Sequence, residues 1–368
     1  MRATIDAVEI TLGQLNRATL ARQGLLAREP ADLIETVERI GGLQAQEAKP
    51  PFIGLWTRLP DFRRAQLHDA LHDRRIVRAT LMRATLHLAG AADYAALRNT
   101  LQPVLLAAMA AVRGRDAGLD VERVVPLARK LLDERARTFN ELRPLLLEAF
   151  PKADERALGY AVRMHLPLAM VPTGDRWSFP GDAAFAPADS WLETKLAPAV
   201  PEALVRRHLG AFGPATATDV QAWSGLGGMA QVLDDMRDEL QVFKLGRREL
   251  FDLPEAPRPE ADVAAPARFL PEFDSLLLAH KDRTRVITDE RRKSLATKNL
   301  RVKAVFLIDG FAAGSWSMTR RRDTVTLSVA PFERLSAREQ EELVAEGEAL
   351  LRFVEPDAGK QSVEFSPP

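Results

Sequence analysis

Cysteine is absent from the 368 residues. That excludes disulfides, thiolate zinc sites and cysteine nucleophiles, and it fits a cytoplasmic protein. No apolar run has the length needed to cross a bilayer. Met1 to Ile10 carry acidic residues and no apolar core, so no export signal is expected. No Gly-x-Ser-x-Gly elbow is present, which leaves a serine hydrolase without support. Net charge is also lacking: 51 Lys and Arg balance 51 Asp and Glu. A nucleic-acid binder usually has a basic balance, so the total argues mildly against one.

What is present reads as a globular chain. Hydrophobic content is 46% and charged content 28%, and the length allows two or three domains with sizeable cores. The charges are unevenly placed. From Arg63 to His87 there are six Arg against two Asp, and from Lys281 to Lys303 nine Lys and Arg against three acids. From Glu333 to Asp357 there are eight acids against three Arg. Local cationic patches can bind phosphate while the whole molecule stays neutral.

The chain is organised around Gly41-Gly42-Leu43-Gln44-Ala45-Gln46, running on to Lys49-Pro50-Pro51. A helix over Asp32 to Ile40 arrives there and a short helix over Phe52 to Leu59 leaves. Glycines before and prolines after disfavour a continuous helix. Residues two apart point the same way in an extended segment, so the amides of Gln44 and Gln46 are expected to converge. The plain alternative is a polar loop whose glutamines satisfy backbone groups.

Element order suggests the fold. Helices over Leu12 to Leu26, Asp32 to Ile40, Phe52 to Leu59 and Phe62 to Leu71 precede a strand pair within Arg75 to Leu88, bent at Met82-Arg83. Helices then strands is a winged-helix order. It recurs: helices over Val121 to Glu134, Thr138 to Phe150 and Asp154 to His165 precede a hairpin of Leu168 to Val171 with Arg176 to Phe179. It recurs again: helices from Pro201 to Glu239, with Thr218 as a candidate cap, precede strands Gln241 to Leu245 and Arg248 to Leu253. After a Pro-rich linker come strand candidates at Phe269-Leu270, Ser275 to Leu278, Val286-Ile287, Val302 to Ile308, Ala312 to Met318 and Thr324 to Val329. Asp309-Gly310 is a hairpin turn. A helix capped by Ser336 closes the chain, and the last residues are expected to fray. The expected class is mainly α with α+β: three tandem winged-helix units (1–112, 113–198, 199–256), then a C-terminal β-barrel or sheet with a terminal helix (257–368).

Other constellations carry less. His68 and His72 have a zinc-compatible spacing but no third ligand nearby, so no metal is expected. Ser224 to Gly228 follows a helix rather than a strand, which rules out dinucleotide binding. Asp274, His280, Asp282 and Arg283 cluster in sequence, with a structural ion pair as the plain reading. Arg78, Arg83 and His87 lie on the first hairpin. They face a phosphate backbone if that hairpin is a wing, and are ordinary surface charge otherwise. The tips at Arg247-Arg248 and Arg320-Arg321-Arg322 pose the same choice.

Leu15-Asn16-Arg17, Gly41 to Gln46, Gly54-Leu55-Trp56-Thr57-Arg58 and Arg78 to His87 together resemble the winged-helix DNA glycosylases of the AlkZ/YcaQ superfamily. Ala217 to Leu226 and Leu270-Pro271-Glu272-Phe273-Asp274 through Arg283 extend the resemblance over nearly the whole chain. It implies three tandem winged helices with a C-terminal β-barrel, excision of alkylated purines, and in some members unhooking of interstrand crosslinks. The family signature is Gln, an apolar residue, then Gln or Asp. Gln44-Ala45-Gln46 matches the AlkZ-like, Gln-ending branch, which implies that Gln44 and Gln46 are catalytic. The implied partner is duplex DNA carrying an alkylated purine or crosslink, met by a monomer in the nucleoid, without cofactor. Arg78, Arg83, His87, Arg247, Arg283 and Arg321 are the expected DNA contacts.

Two amides restrict the chemistry. A glutamine carbonyl accepts from water and its NH2 donates, but neither is a useful base near neutral pH. The pair can orient water toward the anomeric carbon. A purine alkylated on its imidazole ring is cationic and leaves as a neutral base, so it needs no acid catalyst. Normal purines and uracil should be refused. The rival readings are a non-catalytic winged-helix regulator and a scaffold that senses damage without cutting.

Overall fold

The computed structural model describes residues 8–116, 118–295 and 303–367. Lys298 and Arg301 of the basic segment, Val302 of an expected strand, and residues 1–7 of the stretch read for a signal lie outside them. Helices begin where the sequence supplies a cap. The hydroxyls of Thr11, Thr138 and Ser336 accept from the backbone three residues on, and Gln14, Glu141 and Glu339 return the bond. Asp32 and Asp154 cap Leu33–Arg39 and Glu155–His165. Ala217–Ser224 is capped by Thr216 rather than Thr218, because Asp219 closes the reciprocal box on Thr216.

Among the described residues the strands form three sheets. One runs Leu43–Gln44, Leu86–Gly90, Ile76–Thr80, Leu168–Met170, Phe185–Pro187, antiparallel throughout. Strands from 1–112 and 113–198 therefore share it, with Arg78 opposite Met170. The partner of Leu168–Met170 is Phe185–Pro187, not the expected Arg176 to Phe179. Residues 173 to 178 instead close a turn, with Thr173 N–H on the Ser178 carbonyl at 2.7 Å, and Arg176 is drawn to Glu355 and the Val354 carbonyl. Both faces of this sheet are covered. Ile76 and Leu88 share one core cluster with Val124, Ala128 and Leu158, while Val77, Ala79 and Ala89 share another with Leu204, Phe212 and Trp223. The second sheet is the expected hairpin of Gln241–Leu245 and Arg248–Asp252, joined in parallel by Val8–Glu9.

The third sheet corrects the expected barrel. Its order is Lys360–Phe365, Thr324–Pro331, Phe311–Arg321, Val305–Ile308, Arg268–Leu270, and its two end strands do not pair, so it is open. One edge is occupied by another element: Thr57 Oγ1, on the helix Pro50–Arg58, donates to the Phe269 carbonyl at 2.6 Å. At the other edge the helix Ala337–Val354 returns the chain so that Lys360–Phe365 adds in parallel, whereas those residues were expected to fray. That helix covers one face with Leu343, Leu350, Leu351 and Val354. Ser275–Leu277 is a short 3-10 helix capped by Asp274, not a strand, and Val286-Ile287 lies in a turn whose Val286 carbonyl accepts from Ala312 N–H at 2.9 Å without forming a strand. Among the described residues no single helix is long and apolar enough to cross a membrane.

Buried ion pairs join sequence-distant segments. Arg22 grips both carboxylate oxygens of Asp252 at 2.7 Å, and Arg58 those of Asp274 at 2.9 Å. Removing one partner strands a buried charge at a cost of about 3–5 kcal/mol, while replacing both by apolar groups costs far less. Asp274→Ala should therefore lower unfolding stability in urea by that amount, and Arg58→Met with Asp274→Leu by clearly less.

His208 and His280 are buried, and each Nε2–H donates at 3.0 Å to a backbone carbonyl, that of Ala279 and that of Phe212 respectively. A carbonyl only accepts, so Nε2 carries the proton in each ring. Burial pushes the His208 imidazole down to about 4, and burial with Arg285 nearby pushes His280 down as well. The folded rings stay neutral while the unfolded ones protonate below about 6.5. The contribution of His208 is thus complete above that pH and lost as pH falls toward 4, at up to about 1.4 kcal/mol per pH unit, and that of His280 is lost in the same direction. His208→Gln should flatten the acid limb of stability measured against pH.

Candidate active site

The strand Leu43–Gln44 is made possible by its preceding turn. Gly41 and Gly42 have φ of +74° and +78°, and their N–H groups close the helix end on the Glu38 and Val37 carbonyls. A side chain on Gly42 would put its Cβ 2.8 Å from the Leu88 carbonyl oxygen. Without it, Gln44 lies opposite His87, and Ala45 N–H reaches the Leu86 carbonyl at 2.7 Å. The strand then ends, and Pro50 and Pro51 open the next helix where a missing N–H does no harm. Gln46 sits on the bend between. The two amides consequently differ: Gln44 is 8% exposed, while Gln46 is open to solvent.

The first hairpin is wired to this segment. Arg78, nearly buried, donates from Nε to the Ala45 carbonyl at 2.9 Å and from Nη2 to the Gln46 carbonyl at 3.2 Å. Its guanidinium lies 4.9 Å from the centre of the Phe179 ring. Arg83 donates from Nη2 to Gln44 Oε1 at 2.8 Å and from Nη1 to the Trp223 carbonyl. Burial lowers both to about 10, with Arg283 adding to the effect on Arg83, so both remain cationic near neutrality. His87 is buried and donates through Nδ1 to the Thr85 carbonyl at 2.9 Å. Burial, then the Arg83 charge, push it down to about 3, so the ring is neutral. The structure thus brings Arg83 and His87 to Gln44, and Arg78 to the backbone around Gln46.

Gln46 stands where two clefts meet. One, of about 490 Å³, is lined by Gln46, Arg83, Thr85, Tyr160 and Arg163 among others; its neighbour, of about 350 Å³, by Gln46, Glu47, Arg78, Phe139, Arg163 and Asp182 among others. Gln44 instead borders a recess of about 10 Å³ against Pro271 to Ser275, room for about one water. Arg163 was not singled out by the sequence. Its guanidinium stacks 5.3 Å from the ring centres of both Phe139 and Tyr160, and its Nε is buried without a hydrogen-bond partner among the described residues. Only its helix was legible, and no motif marks it.

The remaining candidates sit elsewhere. Arg283 is half-buried, close enough to Arg83 to depress its pKa, and donates from Nε to the His280 carbonyl at 3.2 Å. Arg247 is exposed in the turn between Gln241–Leu245 and Arg248–Asp252, and Arg321 is exposed at the end of Phe311–Arg321. Neither lines the clefts. Asp274 is held by Arg58, as the structural reading of its cluster had it. Among the described residues no group of three or more His, Cys, Asp or Glu could hold a metal. His68 Nδ1 bonds Ser178 Oγ at 2.9 Å instead.

No curated protein matches the sequence. The fold is similar to that of the Streptomyces sahachiroi DNA glycosylase AlkZ, with a TM-score of 0.75 at 20% identity over 98% of this chain and 100% of that one. At such identity the likeness is one of fold. The sequence profile described as DNA glycosylase AlkZ-like matches residues 37–353, and the chain belongs to that AlkZ-like family.

Proposed function

We propose that this protein is a monofunctional DNA glycosylase that hydrolyses the N-glycosidic bond of cationic alkylated purines in duplex DNA, with interstrand crosslinks built on such purines as a second substrate class. The observation that carries the reading is the lining of the larger cleft: Gln46, two guanidiniums, a phenol, two threonines and apolar residues, with no carboxylate and no lysine among the described residues, while Glu47 and Asp182 border the neighbouring cleft. In the larger cleft no described carboxylate stands ready to protonate a leaving base, which suits a base that is already cationic. Without an amine, nothing there forms a Schiff base with the opened sugar, which suits a hydrolase without lyase activity. Lys49, the amine nearest in sequence, points to Trp177 at 5.9 Å.

Gln44 and Gln46 are the catalytic pair in this reading. Gln46 accepts from the attacking water through its carbonyl, and Gln44 supplies hydrogen bonds from the strand beside it. Arg83, with Arg283 behind it, faces the phosphates near the lesion. Arg247 and Arg321 contact the duplex further out, and Arg78 fixes the bend. His87 is a neutral neighbour of Gln44.

The test is abasic-site formation on duplexes carrying N7-methylguanine, uracil or no damage. Only the alkylated duplex should lose a base, and Gln44→Ala and Gln46→Ala should each slow single-turnover release about 100-fold. Uracil release, or full activity in both variants, would sink the catalytic assignment. No release, with tight binding of undamaged DNA, would favour the regulator.

The pH profile offers a separate check. Amides do not titrate, His87 stays neutral above about 3, and Arg83 stays charged below about 10. The single-turnover rate should be flat from about pH 6 to 8.5, with no bell. A limb in that range would place a titrating acid or base in the step.

A further inference from the structure

Arg83 holds an unusual place at the hairpin tip. It and Ala84 both lie in the left-handed region, at φ +54° and +57°. Two successive residues with side chains are held there against their preference. Gly225, itself at φ +82°, leaves the tip its room: a Cβ there would lie 2.9 Å from Val104 Cγ1 and 3.3 Å from Arg83 Cα. From this position one guanidinium reaches the Trp223 carbonyl, at the end of Ala217–Ser224, and Gln44 Oε1.

A guanidinium carries donors only. The Gln44 amide must therefore turn its oxygen to Arg83, since the reversed amide would set NH2 against N–H. The bond is also charge-assisted, which withdraws electrons from the amide and strengthens its N–H groups as donors. A free glutamine on a loop has neither constraint.

We propose that Arg83 is a positioning residue: anchored on Trp223, it commits the Gln44 carbonyl and leaves the Gln44 NH2 as the working end, so that Gln44 donates while Gln46 accepts from water. This rests on the glycosylase reading and adds a division of labour to it. It also makes the docking of Ala217–Ser224 a condition for an ordered Gln44. A guanidinium that only contacts phosphate would need neither anchor.

The experiment compares the full-length protein with Arg83→Met, Gly225→Ala, Gln44→Ala and the Arg83→Met/Gln44→Ala double variant. Single-turnover excision of N7-methylguanine is measured at saturating protein, and duplex affinity is measured against salt. Arg83→Met and Gly225→Ala are each expected to slow excision about 10- to 100-fold. Gly225→Ala removes no charge and should leave the salt dependence unchanged. Arg83→Met should add little to the loss in Gln44→Ala, because it acts through that amide. The inference is overturned if Arg83→Met keeps the rate and only reduces the log–log salt slope by about one, or if the two losses multiply in the double variant.

If the wild-type protein excises nothing, the glycosylase reading fails, and the positioning is judged by the Gln44 side-chain amide resonances. A clear shift of both NH2 protons in Arg83→Met would support it. Unchanged resonances would overturn it alone.

Discussion

The strand that carries Gln44 can lie against Leu86–Gly90 only because Gly42 has no side chain. An alanine Cβ would meet the Leu88 carbonyl at 2.8 Å, well inside van der Waals contact, at a φ that L side chains rarely adopt. Everything at the candidate site follows from that approach. It fixes the register of Gln44 on His87, and that register presents Oε1 to Arg83. It lets Ala45 N–H take the last ladder bond, after which the chain turns and Gln46 faces the clefts. One residue either way in register would send Gln44 to the opposite face.

Long-range ion pairs explain how a chain of zero net charge can hold Arg83 and Arg163 there without an ion pair among the described residues, while the Glu47 charge partly offsets that of Arg78. The acidic segment near the C-terminus is engaged inside the molecule: Glu346 pairs with Arg28 and Arg268, and Glu355 with Arg176 and Arg320. Asp252 and Asp274 are taken by Arg22 and Arg58. Arg78, Arg83 and Arg163 bond instead to carbonyls, an amide or aromatic faces. The mild argument from net charge against nucleic acid thus loses its force, because total charge says nothing about which charges are already neutralised.

Local chemistry was legible and long-range pairing was not. The boxes at Thr138 and Ser336, the Asp309-Gly310 turn and the third hairpin are short-range patterns whose physics lies within a few residues. The strand Phe185–Pro187 has three residues, one a proline, and becomes a strand only because Leu168–Met170 needs a partner while Arg176 is engaged elsewhere. The open third sheet turns on one hydroxyl, Thr57, reaching Phe269 across 212 residues of sequence. The glutamine pair was found by its flanking glycines and prolines together with a family resemblance. Arg163 has no such flank, and its place in the clefts depends on its guanidinium lying over both Tyr160 on its own helix and Phe139 on another.

The electrostatics of the site bear on what it accepts if the glycosylase reading holds. After burial, the charge of Arg283 lowers the pKa of Arg83, and a cationic purine brought beside them is opposed in the same way. A free alkylated nucleobase has nothing to offset that opposition. A nucleotide within a duplex does, because its flanking phosphates pair with the guanidiniums and leave the base to the neutral amides. Discrimination for DNA over free base then arises from charge compensation rather than from any contact with the base itself. As the glycosidic bond breaks, positive charge moves from the purine to the sugar, toward the phosphates that the same guanidiniums hold in place. On the proposed reading those guanidiniums serve binding and orientation, and the charge that develops on the sugar is met chiefly by the DNA's own backbone.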